Sequence, residues 1–362
     1  MSTLIIGGGL SGLALADELQ TQGRDYMLVE AQGRFGGRIK TRYFGAGYFD
    51  LGPTWIWPGQ PRISTLIEQL EIKSFDQYTD GQSIFEDEMG RVQRGVGFAS
   101  MEGSWRLHGG FEVLTSLLSE RLPTNRKRLN ARVTALKKSE TGITATFSNG
   151  DAFSANHAVL ALPPRIAANI EYFPALPERA FQKMQSVATW MAGQAKAVAV
   201  YDKPFWRGGG LSGNAMSRIG PLVEIHDASP VENGPYALFG FIGVPAEARK
   251  DEQALRRQIL AQLARLFGGD ANEPERLYIE DWAHNSNTST TADSSPQYAH
   301  PTYGMPRSLI NLWDGRLLFG GTEVAAEFGG YVEGALEAAE YAIRSIDELG
   351  VDDGDRYKKL AT

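Results

Sequence analysis

Three glycines, Gly7, Gly9 and Gly12, stand at G-x-G-x-x-G spacing in the opening run TLIIGGGLSGLALADELQTQGRDYMLVE. Each serves a separate purpose in such a pattern, namely the tight turn, the close approach of backbone to a pyrophosphate, and contact between helix and strand. Glu30 ends the run, where a carboxylate can accept from both hydroxyls of an adenosine ribose. Arg34-Phe35-Gly36-Gly37-Arg38 then sets paired glycines between two arginines, offering backbone donors and cations to a pyrophosphate. These residues point to a dinucleotide and leave NAD and FAD to be separated. Far along the chain, QAKAVAVYDKPFWR places Lys196 in a run of alanine and valine. Lys196, Val198 and Val200 share one face of a strand. The lysine is either an edge residue whose ammonium reaches water or a buried amine placed for chemistry, and its own strand does not decide.

The elements that must position these groups follow from periodicity. A strand over Thr3–Ile6, a helix carrying Leu10, Leu13, Ala14, Ala16 and Leu19 that Gly23 stops, and a strand over Tyr26–Val29 make a βαβ opening. Helices are predicted over 62–72 and 111–122, a hairpin over 132–147, and a strand over 157–162 that Pro163-Pro164 terminates. Residues 186–281 alternate strands with a charged helix near 251–266 and carry no phosphate loop. The tail returns to a strand over 316–319, a turn at Gly320–Glu323 and a helix over 331–346. Gly329-Gly330 opens that helix, and a helix N-terminus with small residues before it can receive an anion.

Bulk composition narrows the function. The chain has 42% apolar and 22% charged residues with 41 glycines, the profile of a globular protein rich in tight turns. Its 36 basic and 43 acidic residues give a net charge of -7, which argues against nucleic acid as a partner. The absence of cysteine excludes disulfides, thiolate metal sites and any cofactor attached through sulfur. The five histidines are scattered, so no metal site is expected. No signal peptide or bilayer-length apolar span is visible, and a cytoplasmic enzyme without a membrane anchor is the expectation.

Taken together, the segments resemble the flavin-dependent amine oxidases, the family of monoamine and polyamine oxidases. The resemblance rests on the glycine fingerprint, Glu30, the GGR at 36–38, FDLGPTWI at 49–56, Gly109-Gly110, LALPP at 160–164, QAKAVAVYDKPFWR, and FGGTEVAAEFGGYVEGALEAAE at 319–340. It implies an α/β fold: a Rossmann-like FAD-binding domain of residues 1–72, 105–185 and 296–362, and a smaller α+β substrate domain with a mixed sheet, of 73–104 and 186–295. It implies non-covalent FAD, held by Gly52, Pro53, Thr54, Trp55, Gly321, Thr322, Glu323, Gly330 and Val332 besides the fingerprint residues, with Val133 in the strand that contacts the adenine. Lys196 falls where the family lysine reaches the flavin N5 through a water. Tyr331 matches one wall of an aromatic cage over the flavin, Trp282 a tryptophan near the pocket, and the cage's second tyrosine falls at Gln297 or Tyr298.

The chain departs from the pattern in length. Fewer than forty residues separate the helix ending near Glu71 from Gly109-Gly110, where larger members carry a helical lid. A shallow, open pocket is expected, suited to a bulky amine, an amine borne on a polymer, or a site completed by a partner chain. The reaction implied is oxidation of an amine to aldehyde or ketone and ammonia, with oxygen or another electron acceptor closing the cycle. FDLGPTWI is also similar to carotenoid desaturases, which makes C–C dehydrogenation the alternative chemistry, and the short lid leaves open a flavin-binding accessory subunit.

Overall fold

The computed structural model describes residues 1–232, 234–295, 297 and 299–360, the last eleven as helical backbone only. Five parallel strands form the first sheet, in the order Leu317–Phe319, His157–Leu160, Ser2–Ile6, Asp25–Val29 and Lys127–Arg128. Alternation along Ser2–Ile6 sends Leu4 and Ile6 to one face and Ile5 to the other. Leu4 and Ile6 pack with Leu136 and Phe147 of a four-stranded sheet built on the predicted hairpin, Val133–Lys138 and Ile143–Phe147. Ile5 packs with Leu13 of the helix Leu10–Thr21 and Leu336 of the helix Val332–Leu360. Two helices on one face and a second sheet on the other thus bury a central strand on both sides, which is why it reads as continuous apolar sequence.

The seven-stranded mixed sheet runs Arg276–Asp281, Ala195–Tyr201, Tyr236–Ile242, Leu222–Asp227, Leu211–Ser217, Gln82–Glu86 and Val92–Arg94. Its outer face receives Ala195, Ala197, Ala199 and Tyr201 against the helix Glu252–Phe267. Its inner face carries Val198 and Val200 against Phe49, Leu51 and Phe239. Lys196 shares that inner face by alternation.

One expectation changes here. The lysine strand is interior, paired on both sides, and all seven of its residues are buried, so the edge reading of Lys196 fails. Residues 73–104 form the strands Ser74–Asp76, Gln82–Glu86 and Val92–Arg94, the last two extending the edge of the large sheet. Strands this short and this polar leave little periodic signal.

Candidate active site

A cavity of about 700 Å³ lies between the first sheet and the inner face of the large sheet. Its first end is built on the opening turn. Gly7 has φ +114, and a Cβ there would lie 2.5 Å from the Ala161 carbonyl oxygen, so only glycine fits. Gly9 caps the helix Leu10–Thr21 with no side-chain bond to its free N–H groups, and its own Cα opens on empty space. Gly12 stays out of the cavity and keeps helix close to strand, since a Cβ would sit 1.9 Å from the Gly7 carbonyl oxygen. The Glu30 carboxylate accepts from the backbone N–H groups of Gly8 at 2.7 Å and Gln32 at 2.8 Å while lining the cavity. Gly36, Gly37 and Arg38 lie alongside, with Val133 beyond Glu30.

Besides Gly12, two members of the predicted set do not reach this wall. The Arg34 guanidinium is spent on its own loop, donating to the carbonyl oxygens of Phe35, Gly37 and Ile39 at 3.1, 2.7 and 2.9 Å. Three bonds to neighbouring carbonyls hold it as a brace for the turn and away from a ligand. Glu323 is almost wholly buried and pairs with Arg38 at 2.6 Å, behind the lining. Its Oε2 is buried without a hydrogen-bond partner, so the Arg38–Glu323 pair keeps acceptor capacity unspent.

At the other end stands Lys196, 6% exposed. Its Nζ donates to the carbonyl oxygen of Gly52 and lies 5.1 and 5.0 Å from the ring centroids of Phe239 and Phe241. Gly52 has no alternative residue, because a Cβ would meet the Arg38 carbonyl oxygen at 2.1 Å. Burial pulls the Lys196 pKa down to about 7, with the charge of Asp50 opposing that fall. The amine therefore exchanges a proton near neutrality. Pro53, Thr54 and Trp55 continue the wall; the Trp55 indole donates to Gln77 at 2.8 Å and meets Phe239 edge-on. Trp282 follows its strand in a short turn and donates to the Leu51 carbonyl oxygen at 2.8 Å, presenting the rest of its ring to the cavity.

Gly321, Thr322, Gly330, Tyr331 and Val332 close the third side. Thr322 Oγ1 accepts from the Gly330 N–H and donates to the Tyr331 carbonyl, which fixes the chain as it enters the last helix. Of the expected aromatic cage, Tyr331 lines the cavity. Gln297 does not line the cavity, and Tyr298 lies outside the described residues. The ring stacked on Tyr331 is His300, at 4.8 Å with the planes 3° apart. From residues 73–104 only Met101 reaches the cavity.

Sequence reasoning missed Trp57, Trp190 and Phe241, which all line the cavity. Phe241 is the register partner of Lys196, information that exists only once strands are paired. It also missed Asp50, buried two residues before Gly52, whose Oδ1 accepts from Thr41 Oγ1 at 2.6 Å and the Phe111 N–H at 2.9 Å. Burial pushes its carboxyl up to about 6, against those two bonds. The native state then holds a proton that the unfolded chain has released between pH 3.8 and 6, so this group's contribution to stability is present below pH 4 and lost through pH 6. Asp50→Asn keeps both acceptor bonds and cannot titrate. The difference in unfolding free energy between wild type and variant is expected to fall by roughly 3 kcal/mol from pH 4 to pH 7; a flat difference rejects the assignment.

The residues fit FAD at one end by a capless helix N-terminus, a glycine cradle that side chains would fill, and a carboxylate ready for ribose hydroxyls. Residues 10–95 and 93–346 match the family model for flavin-containing amine oxidoreductases. The chain belongs to that family. It is an enzyme, and its cofactor is FAD. "Probable flavin-containing monoamine oxidase A" of Dictyostelium discoideum is 24% identical over 96% of this chain and 98% of its own length. An L-amino acid dehydrogenase of Synechocystis is 23% identical, over 95% and 94%. The structure of cyclohexylamine oxidase from Brevibacterium oxydans, 20% identical, superposes with a TM-score of 0.81 over 96% of this chain and 99% of that one, a likeness of fold. Among the described residues no helix is long and apolar enough to cross a membrane.

Proposed function

We propose that this enzyme oxidises an amine whose carbon side is apolar, at its C–N bond, with the amine held at the Lys196 end of the cavity. The observation that carries the reading is the contrast between the two ends. Of the charged side chains that line the cavity, Glu30, Arg132 and Glu171 belong to the end near Val133, and Arg38 is paired with Glu323. At the other end Lys196 lies against the rings of Phe239 and Phe241, and Trp55, Trp57, Trp190, Trp282 and Tyr331 are further aromatic residues that line the cavity. FAD, when bound, would supply the hydride acceptor and the route by which the electron pair reaches oxygen, as hydrogen peroxide, or another electron acceptor. The chain supplies the rest. The rings exclude water and orient a neutral amine, and Lys196 Nζ holds or releases a proton near neutrality beside the Gly52 carbonyl. Loss of the α-hydrogen as hydride and of an N–H proton leaves an imine, which water converts to aldehyde or ketone and ammonia. Tyr331, 44% exposed, leaves the mouth open toward solvent, in keeping with an amine carried on a larger molecule.

Anaerobic mixing with 2-phenylethylamine, putrescine and L-phenylalanine tests this. The first should bleach the flavin absorbance at least about tenfold faster than the others, since a second ammonium meets no carboxylate among the rings and the carboxylate of L-phenylalanine is offered only Lys196, whose charge burial disfavours. A flavin that dithionite bleaches and no amine does would end the proposal.

A further inference from the structure

Met101 is the single side chain that the segment 73–104 sends into the cavity, and its backbone is held in place with unusual care. It is half-buried in a turn that the Glu102 N–H closes on the Ala99 carbonyl at 3.0 Å. Ser104 donates to the Met101 carbonyl from its N–H at 3.2 Å and from its hydroxyl at 2.6 Å. Three ties then fasten the turn to the surroundings of Trp55. Ile56 and Trp105 exchange backbone bonds at 2.9 and 2.8 Å, and Ile56 stands between Trp55 and Trp57, which both line the cavity. The Ser104 carbonyl accepts from the Gln77 N–H at 3.0 Å, while the Gln77 side chain accepts from the Trp55 indole at 2.8 Å. Ser100 Oγ donates to Glu224 Oε1, His226 Nε2 lies 3.0 Å from the same oxygen, and the His226 ring meets Trp55 edge-on at 5.2 Å. Trp55 itself lies 5.5 and 6.2 Å from the rings of Phe239 and Phe241, the pair against which Lys196 rests.

We infer that Met101 is a specificity-determining residue, the apolar wall that sets how long an amine the compartment beside Trp55 accepts. The ties fix where the wall stands, because they hold the main chain on both sides of residue 101. What projects from that fixed point is unbranched and adaptable, so it follows the outline of an apolar ligand and stops it at a set depth. Apolar pockets discriminate by length in this way, one methylene being worth about 10- to 200-fold. The inference rests on reading the Lys196 end as the amine compartment, and it adds to that reading the side chain that measures the amine's carbon part.

Two amines that differ only in length, 2-phenylethylamine and 4-phenylbutylamine, test this by anaerobic bleaching of the FAD-loaded enzyme. The quantity read is the second-order rate constant for the longer amine divided by that for the shorter, in wild type, Met101→Ala and Met101→Phe. Alanine withdraws the wall and should raise the ratio at least about fivefold; phenylalanine advances it and should lower the ratio at least about fivefold. A loosened fold or a poorly held cofactor slows both amines together and leaves the ratio where it was. Ratios within about twofold of wild type in both variants overturn the inference, and so do ratios that move in the same direction. The wild type separates the two possible failures. If 2-phenylethylamine bleaches it while the variants' ratios stay put, the error lies with Met101 alone. If dithionite bleaches it and neither amine does, the amine reading falls and this inference falls with it.

Discussion

Methionine in place of Lys196 is expected to lower turnover with an amine by on the order of 10²-fold, the cost of removing one preorganised charged group from a dry site, while the enzyme stays folded and yellow. The stem is preserved, and a thioether sits well against Phe239 and Phe241, whose rings lie about 5 Å from Nζ. What is lost is the proton that Nζ holds or releases with a pKa of about 7. Stability should move the other way. The folded pKa lies below the unfolded 10.5, so between about 7 and 10.5 the unfolded chain binds more protons, and the wild type gains stability as pH rises through that window. Below it, the wild type carries the full cost of a buried charge. Lys196→Met should therefore unfold at a higher temperature than wild type at pH 6 and lose that advantage toward pH 10. Rapid-mixing of flavin reduction and reoxidation, together with melting curves at three pH values, gives both readings. Turnover within about threefold of wild type would return the lysine to a structural part.

The lysine also shows where a sequence stops being legible. Its alternation with Val198 and Val200 is visible in the sequence, and so is its apolar company. Whether the strand sits at an edge is not, because strand neighbours come from residues 236–242 and 276–281, far along the chain. The same limit hides Phe241 and Asp50, whose parts depend on register and on a carbonyl two residues downstream. The opening βαβ unit is legible because its constraints are local: a turn, a helix start and a carboxylate within thirty residues. Arg34 is misplaced for a related reason. Charge and spacing alone do not reveal that three nearby carbonyls compete for its donors. The mouth is harder still, since the stack of His300 on Tyr331 is geometry that no motif encodes.

Alanine at Gly12 and alanine at Gly9 should have opposite consequences, although both add one methyl group to the same turn. At Gly12 the new Cβ would lie 1.9 Å from the Gly7 carbonyl oxygen, where backbone meets backbone. Neither side can yield without parting the helix Leu10–Thr21 from the strand Ser2–Ile6, at the centre of the first sheet. A cost of about 3 kcal/mol or more follows, seen as a large fall in melting temperature or as insoluble protein. At Gly9 the backbone has φ -75 and ψ -177, open to any residue, and no atom lies within 4 Å of the new methyl. The folded protein should be unchanged to within about 0.5 kcal/mol. That empty space is cavity, however, and in the glycine pattern it is where a bound pyrophosphate would come close to backbone. Overpacking there, at roughly 1–3 kcal/mol, weakens FAD by about 5- to 150-fold. Gly9→Ala should purify folded and pale, with its flavin restored only by excess FAD. If it retains FAD with wild-type affinity, the pyrophosphate does not lie against Gly9, and the glycine turn serves only the helix-to-strand packing that Gly12 demonstrates.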